Sequence, residues 1–71
     1  MAQELVAELV ASVFKIVASV GDRIEPGGTV VILESMKMEI PVLAEDAGMV
    51  REIPVHEGDV VQEGDVLAVL T

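Results

Sequence analysis

The chain has 71 residues, a net charge of −9, one histidine and no cysteine. At this length a single domain spanning residues 1–71 is expected, near the lower limit for independent folding, and neither disulfides nor a zinc site built on His56 alone can staple it, so no metal is expected. The acidity argues against nucleic acid and against anionic membrane surfaces as partners.

No apolar run approaches the ~20 residues that cross a bilayer. The N-terminus lacks the basic segment and cleavage pattern of a secretory signal, so a cytoplasmic location is expected. The hydrophobic share is 52%, with Phe14 the sole aromatic residue. A core must therefore come from Val, Ile, Leu and Ala, and the 14 valines favour strands over helices.

In chain order, residues 4–18 come first and look helical. Leu5, Val6, Leu9, Val10, Val13, Phe14 and Val17 recur at spacings of three and four, with Glu4 and Glu8 on or near the other face. Against a helix stand four valines and the lack of a convincing cap. The rest of the chain decides.

Sliding the sequence by 37 positions aligns it with itself. Ala7-Glu8 falls on Ala44-Glu45, Val13 on Val50, Ile16 on Ile53, Gly21-Asp22 on Gly58-Asp59, Gly27 on Gly64 and Leu33 on Leu70. Gly-Asp is turn chemistry, because Gly reaches positive φ and Asp bonds back to its own backbone. The second copy of the ambiguous segment, Leu43 to Glu57, contains Gly48 and Pro54, which a helix interior tolerates poorly. If the copies share a backbone, residues 4–18 are strands too. The apolar runs Thr29–Leu33 and Val66–Leu70, bounded by Gly, Pro and Asp, are also strand-like. The expectation is an all-β fold: about eight short strands, four per half, in two antiparallel sheets related by a pseudo-two-fold axis.

Between the copies lies Glu34 to Ile40. It holds Lys37, which has 36 residues before it and 34 after; the other lysine, Lys15, falls inside a strand of the first copy. A hairpin tip is expected here, with the chain termini meeting at the other end. Turn tips favour Gly, Asn, Asp and Pro, yet this one reads Ser35-Met36-Lys37-Met38 between Glu34 and Glu39. Methionines beside an exposed lysine give adaptable apolar surface suited to recognition. The plainer reading places Met36 and Met38 in the core and leaves Lys37 as a surface charge.

Met36-Lys37-Met38 with Glu34 before and Glu39 after resembles the attachment motif of biotinyl domains. The similarity covers essentially the whole chain, including Gly21-Asp22, Gly58-Asp59 and the Ala44-x-x-x-Gly48-x-Val50 run. It is closest to a stand-alone biotin carboxyl carrier protein. The resemblance implies a flattened β-barrel or sandwich of two four-stranded sheets, with biotin in amide linkage to Lys37 and Met36, Met38, Glu34, Ser35 and Glu39 as the recognition motif. Ser35 departs from the Ala most common in the family. Glu8, Val10 and Ala11 stand where relatives often have Pro, Pro and Gly, and the protruding "thumb" insertion of some carriers is absent.

The same resemblance implies a non-catalytic carrier. A biotin protein ligase would modify Lys37, and the domain would shuttle carboxybiotin between biotin carboxylase and carboxyltransferase components. Two alternatives stand beside it: a lipoyl carrier, favoured only by Ser35, and an unmodified interaction module. An independent enzyme is disfavoured by the residues themselves. His56 sits beside a Gly-Asp turn with no nucleophile–base–orienter set around it, and is expected to be a surface residue.

Overall fold

The computed structural model describes residues 2–71. Within them run β1 (Gln3–Val6), β2 (Ala11–Ile16), β3 (Arg23–Ile24), β4 (Thr29–Ser35), β5 (Met38–Leu43), β6 (Gly48–Glu52), β7 (Val60–Val61) and β8 (Val66–Leu70). They form two four-stranded sheets ordered β1-β8-β6-β3 and β5-β4-β2-β7, with every pairing antiparallel. A shift of 37 residues carries each strand of one sheet onto the corresponding strand of the other. The all-β sandwich and its pseudo-two-fold relation are as the repeat implied. Each sheet, however, takes two strands from each half, so the copies interlock rather than sit side by side. Among the described residues no helix is long and apolar enough to cross a membrane.

Residues 4–18 hold β1 and β2 with a bend between them rather than a helix, and their side chains show why they imitate one. Leu5, Ala7, Ala11 and Val13 are buried, the alternation of a strand with one face inward. The β2–β4 register then shifts between Val13 and Lys15. Phe14 occupies this bulge, which reverses the parity, so Ile16 and Ala18 face inward next. Val6, Val10, Phe14 and Val17 complete the apparent helical stripe, yet all four lie outside the core. An equivalent shift between Val50 and Glu52 places Arg51 in the matching bulge of the second copy.

The two halves are joined through their Gly-Asp turns. Gly21 N–H donates to the Val50 carbonyl and Val50 N–H to that of Asp22, both at 2.8 Å. In mirror fashion Gly58 N–H donates to Val13 and Val13 N–H to Asp59, again at 2.8 Å. Gly21 and Gly58 adopt φ of 96° and 95°, the left-handed region that a side chain would strain. The Asp22 carboxylate accepts from Ser19 N–H (2.9 Å) and that of Asp59 from His56 N–H (2.9 Å), closing each turn on itself. A third such turn ends at Gly64-Asp65, where Asp65 accepts from Gln62 N–H (2.8 Å). Its counterpart ends at Gly27-Gly28. A Cβ on Gly28 would lie 2.8 Å from Ile24 Cγ2 and 3.0 Å from the Glu25 carbonyl oxygen, which excludes a fourth aspartate.

Between the sheets lies a purely aliphatic core. Leu33, Leu67, Leu70, Val13, Val30, Val31 and Val50 are its largest fully buried side chains, and no polar side chain among the described residues is buried. Leu33→Ala is expected to lower the unfolding free energy by about 2–5 kcal/mol through the cavity it leaves. Gly28→Ala should cost about 1–3 kcal/mol by overpacking. Urea denaturation of the purified variants measures both.

Candidate functional site

Strands β4 and β5 form the longest ladder in the molecule, from Thr29↔Leu43 to Ser35↔Met38. Ser35 and Met38 are the closing pair, so the turn itself contains only Met36 and Lys37. Both have positive φ, 53° and 64°, the signature of a type I′ hairpin turn. That turn normally selects Asn-Gly, because a side chain in the left-handed region costs roughly 1–2 kcal/mol per residue. Two long side chains hold the position instead. Strain persists where the flanking structure over-determines it, and here the ladder supplies that constraint.

The tip is shorter than the sequence implied, and its side chains are fully accounted for. Met36 is 92% exposed and Met38 64%, which excludes the reading that buries them in the core. Lys37 is exposed beside them. The ion pairs among the described residues are Arg23–Glu25 (3.4 Å) and His56–Asp59 (3.8 Å), and neither engages Lys37. Glu34 and Glu39 are exposed and directly opposite one another on the ladder. Like charges so placed oppose the pairing, so the base of the tip is a concentrated negative site. Ser35 is half-buried opposite Met38. The six residues singled out by sequence are thus contiguous on one hairpin end.

Lys15 is also exposed, on β2 opposite Ile32 of β4. Exposure does not separate the two lysines; backbone context does, since Lys15 belongs to a paired strand and Lys37 to a strained turn. The His56 side chain is 88% exposed, the surface residue expected. Among the described residues no group of three or more His, Cys, Asp or Glu side chains could hold a metal ion.

The pseudo-symmetry accounts for the position of the tip. Shifted by 37, the Leu33↔Ile40 pair becomes Leu70↔Gln3. What closes as a turn in one sheet is the pair of chain ends in the other, as the repeat implied. Sequence reasoning passed over one further feature, a cleft between edge strands β1 and β5, lined by Gln3, Leu5, Leu9, Leu33 and Ile40 together with Glu8. Comparing Gln3 with Ile40 at the repeat offset would have flagged it.

Met36, Lys37 and Met38 are thus exposed together at the end of the β4–β5 hairpin. The chain belongs to the biotin/lipoyl attachment family: the family model described as "Biotin-requiring enzyme" matches residues 1–70. The chain is 55% identical over 71 residues to the "Biotinylated protein TB7.3 homolog" of Mycobacterium leprae, covering 100% of each. It is 48% identical over 64 residues to the "Biotin/lipoyl attachment protein" of Bacillus subtilis, covering 90% of this chain and 88% of that one. Among solved structures it superimposes on part of the Kluyveromyces lactis urea carboxylase with a TM-score of 0.94 and 41% identity, covering 100% of this chain and 6% of that one.

The strain at the tip has a measurable consequence. Met36→Asn is expected to raise the unfolding free energy by about 0.5–1 kcal/mol, since Asn tolerates the left-handed conformation better. Glu39→Gln should add a few tenths of a kcal/mol by removing the opposed charges. Equilibrium urea denaturation of each variant against the parent chain checks both signs.

Proposed function

We propose that this chain is a biotin carrier, holding biotin in amide linkage on Lys37 and delivering it between a biotin carboxylase and a carboxyltransferase. The observation that carries the reading is the Met36–Lys37 turn: a lysine in a strained two-residue tip, flanked by exposed methionines, at the one place where the repeat is interrupted. The relative named as a biotinylated protein, at 55% identity, supports the choice of cofactor, and the one at 48% is named for attachment of biotin or lipoyl. The residues fit the group, since an amide on Lys37 at an exposed tip displaces no ion pair among the described residues.

Each tip residue has a part. An alkylammonium is not a nucleophile, so a biotin protein ligase must remove the proton from Lys37 Nζ. The neutral amine then attacks the acyl carbon of a biotinyl adenylate; the C–N bond forms, the acyl–phosphate bond breaks and AMP leaves. Met36 and Met38 offer apolar contact to the ligase, and Glu34 and Glu39 attract basic groups on it. When bound, the ureido group takes up and releases a carboxyl group. The domain itself contributes presentation: the long β4–β5 ladder fixes the base of the arm while the arm moves. From Lys37 Cα to the bicyclic head the extended arm reaches roughly 14 Å at standard bond lengths. That reach is short beside a multi-subunit enzyme, so the whole domain travels between partner sites.

Co-expression with a biotin protein ligase, followed by intact-mass measurement, should add one biotin per chain, and Lys37→Arg should add none. Biotin persisting on that variant, at Lys15 for instance, would sink the assignment. The Met36→Asp, Met38→Ala double variant should be biotinylated roughly tenfold more slowly, the loss expected when an apolar contact of about 1.5 kcal/mol is removed. The same variant offered to a lipoyl ligase tests the second cofactor. Unchanged rates with both ligases would show that the methionines are not read.

A further inference from the structure

The two edge strands β1 and β5 are equivalent under the 37-residue offset, and a cleft of about 270 Å³ lies between them. Such a volume is just below the usual range for small-molecule sites, about 300–1,000 Å³, so it suits a small group. Its two ends should be alike by symmetry, but they are not. At one end Gln3 spans the sheets: its Nε2 donates to the Asp46 carbonyl at 2.8 Å, and its Oε1 accepts from Glu45 N–H at 3.3 Å. The repeat puts Ile40 where Gln3 stands, and Glu8-Leu9 where Glu45-Asp46 stand. An isoleucine cannot make either hydrogen bond. One end is therefore latched and the other open, and Ile40 at the open end lies three residues along the chain from Lys37.

The surface leading there is continuous. Alternation puts Met38 on the same face of β5 as Ile40, and Ile40 pairs with Leu33 on β4. Leu33 is buried, whereas Ile40 and Leu9 are partly buried against the core. Met38 overhangs them, 64% exposed. An apolar track thus descends from the tip into the cleft, and exposed Glu8 stands at its mouth.

We infer that this open-ended cleft is a resting site for the acylated Lys37 arm, with the bicyclic head against Leu9, Leu33 and Ile40 and a ureido N–H donated to the Glu8 carboxylate. The inference rests on the preceding reading of Lys37. Length selects the depth. At ~3.4 Å per strand residue, Ile40 is about 10 Å from Lys37 along β5 and Leu43 about 20 Å. An arm of roughly 14 Å reaches the first but falls short of the second, so the latched end stays empty. Chemistry selects the group: a small head with apolar edges and N–H donors matches a cleft of aliphatic walls and a carboxylate rim. Docked there, the head is withdrawn from water between visits to partners.

The test compares unmodified and biotinylated protein by methyl-resolved NMR. Expected are shifts at the Leu9, Leu33 and Ile40 methyls, and nuclear Overhauser contacts from ring protons to Leu9 and Ile40, with the Leu70 methyls unmoved. Shifts confined to Met36, Lys37 and Met38, with no ring-to-methyl contact, would overturn the proposal. Capture by streptavidin provides a second reading, because a docked population of about 80% slows it about fivefold. Glu8→Ala, on the surface, should restore most of that rate. Ile40→Gln, which gives the open end the residue that latches the other, should abolish the contacts. Capture equally fast in the parent chain and in Glu8→Ala would count against docking. The chain has no cysteine, so Lys37→Cys coupled to a thiol-reactive biotin of matched length repeats the measurement without a ligase. Docking in that conjugate, together with no enzymatic biotinylation of the parent, would refute the carrier reading while leaving the cleft as a site for the head.

Discussion

The fold depends on a reciprocal exchange of backbone hydrogen bonds. The Gly21-Asp22 turn of the first copy closes on Val50 of the second, and Gly58-Asp59 of the second closes on Val13 of the first. Val13 and Val50 are also fully buried core residues, each followed directly by a bulge. The same few atoms therefore fix the register of the strands, the docking of the two sheets and the change of face along β2 and β6. With no cysteine and no buried polar side chain among the described residues, this interlock gives a small aliphatic core a unique arrangement. Buried apolar area is non-directional, whereas paired N–H and C=O groups specify which strand meets which.

A near-symmetric frame makes its departures informative. The hairpin end and the chain ends occupy equivalent positions in the two sheets, so the tip arises where the duplicated unit is joined to its copy. Phe14 and Arg51 fill equivalent bulges with different chemistry, leaving an aromatic surface on the sheet that bears Lys37 and a cation on the other. Gln3 and Ile40 are equivalent positions of which only one can bridge the sheets. In each case the backbone is shared and the side chain decides what that end of the molecule can do.

On the proposed function, presentation of Lys37 and stability of the hairpin oppose one another at the tip. A type I′ turn of Met-Lys and a Glu34↔Glu39 pair both work against the hairpin, and the long β4–β5 ladder with Leu33 and Val31 beneath it offsets them. Asn-Gly in the turn would make a better hairpin and remove the lysine. Local rules broken at a site where the rest of the chain obeys them are the mark of a constraint other than folding.

Much of this was legible in the residues alone. The 37-residue repeat, the Gly-Asp pairs and the Gly and Pro of the second copy determined an all-β duplicated sandwich, because turn chemistry is local and is written in residue type. The same repeat isolated Lys37, which falls at the junction between the two copies. The helical spacing of Leu5 to Val17 could not be resolved from its own segment. A bulge at Phe14 inserts one residue into a period of two, and only pairing with β4 reveals it. Nor could sequence show that the turn is two residues long with both in the left-handed region, since Met and Lys carry no preference for it and the ladder imposes it. The cleft between β1 and β5 was equally silent. Its walls come from strands that do not pair with each other, and closing one end while leaving the other open depends on a contact between Gln3 and residues more than 40 positions away.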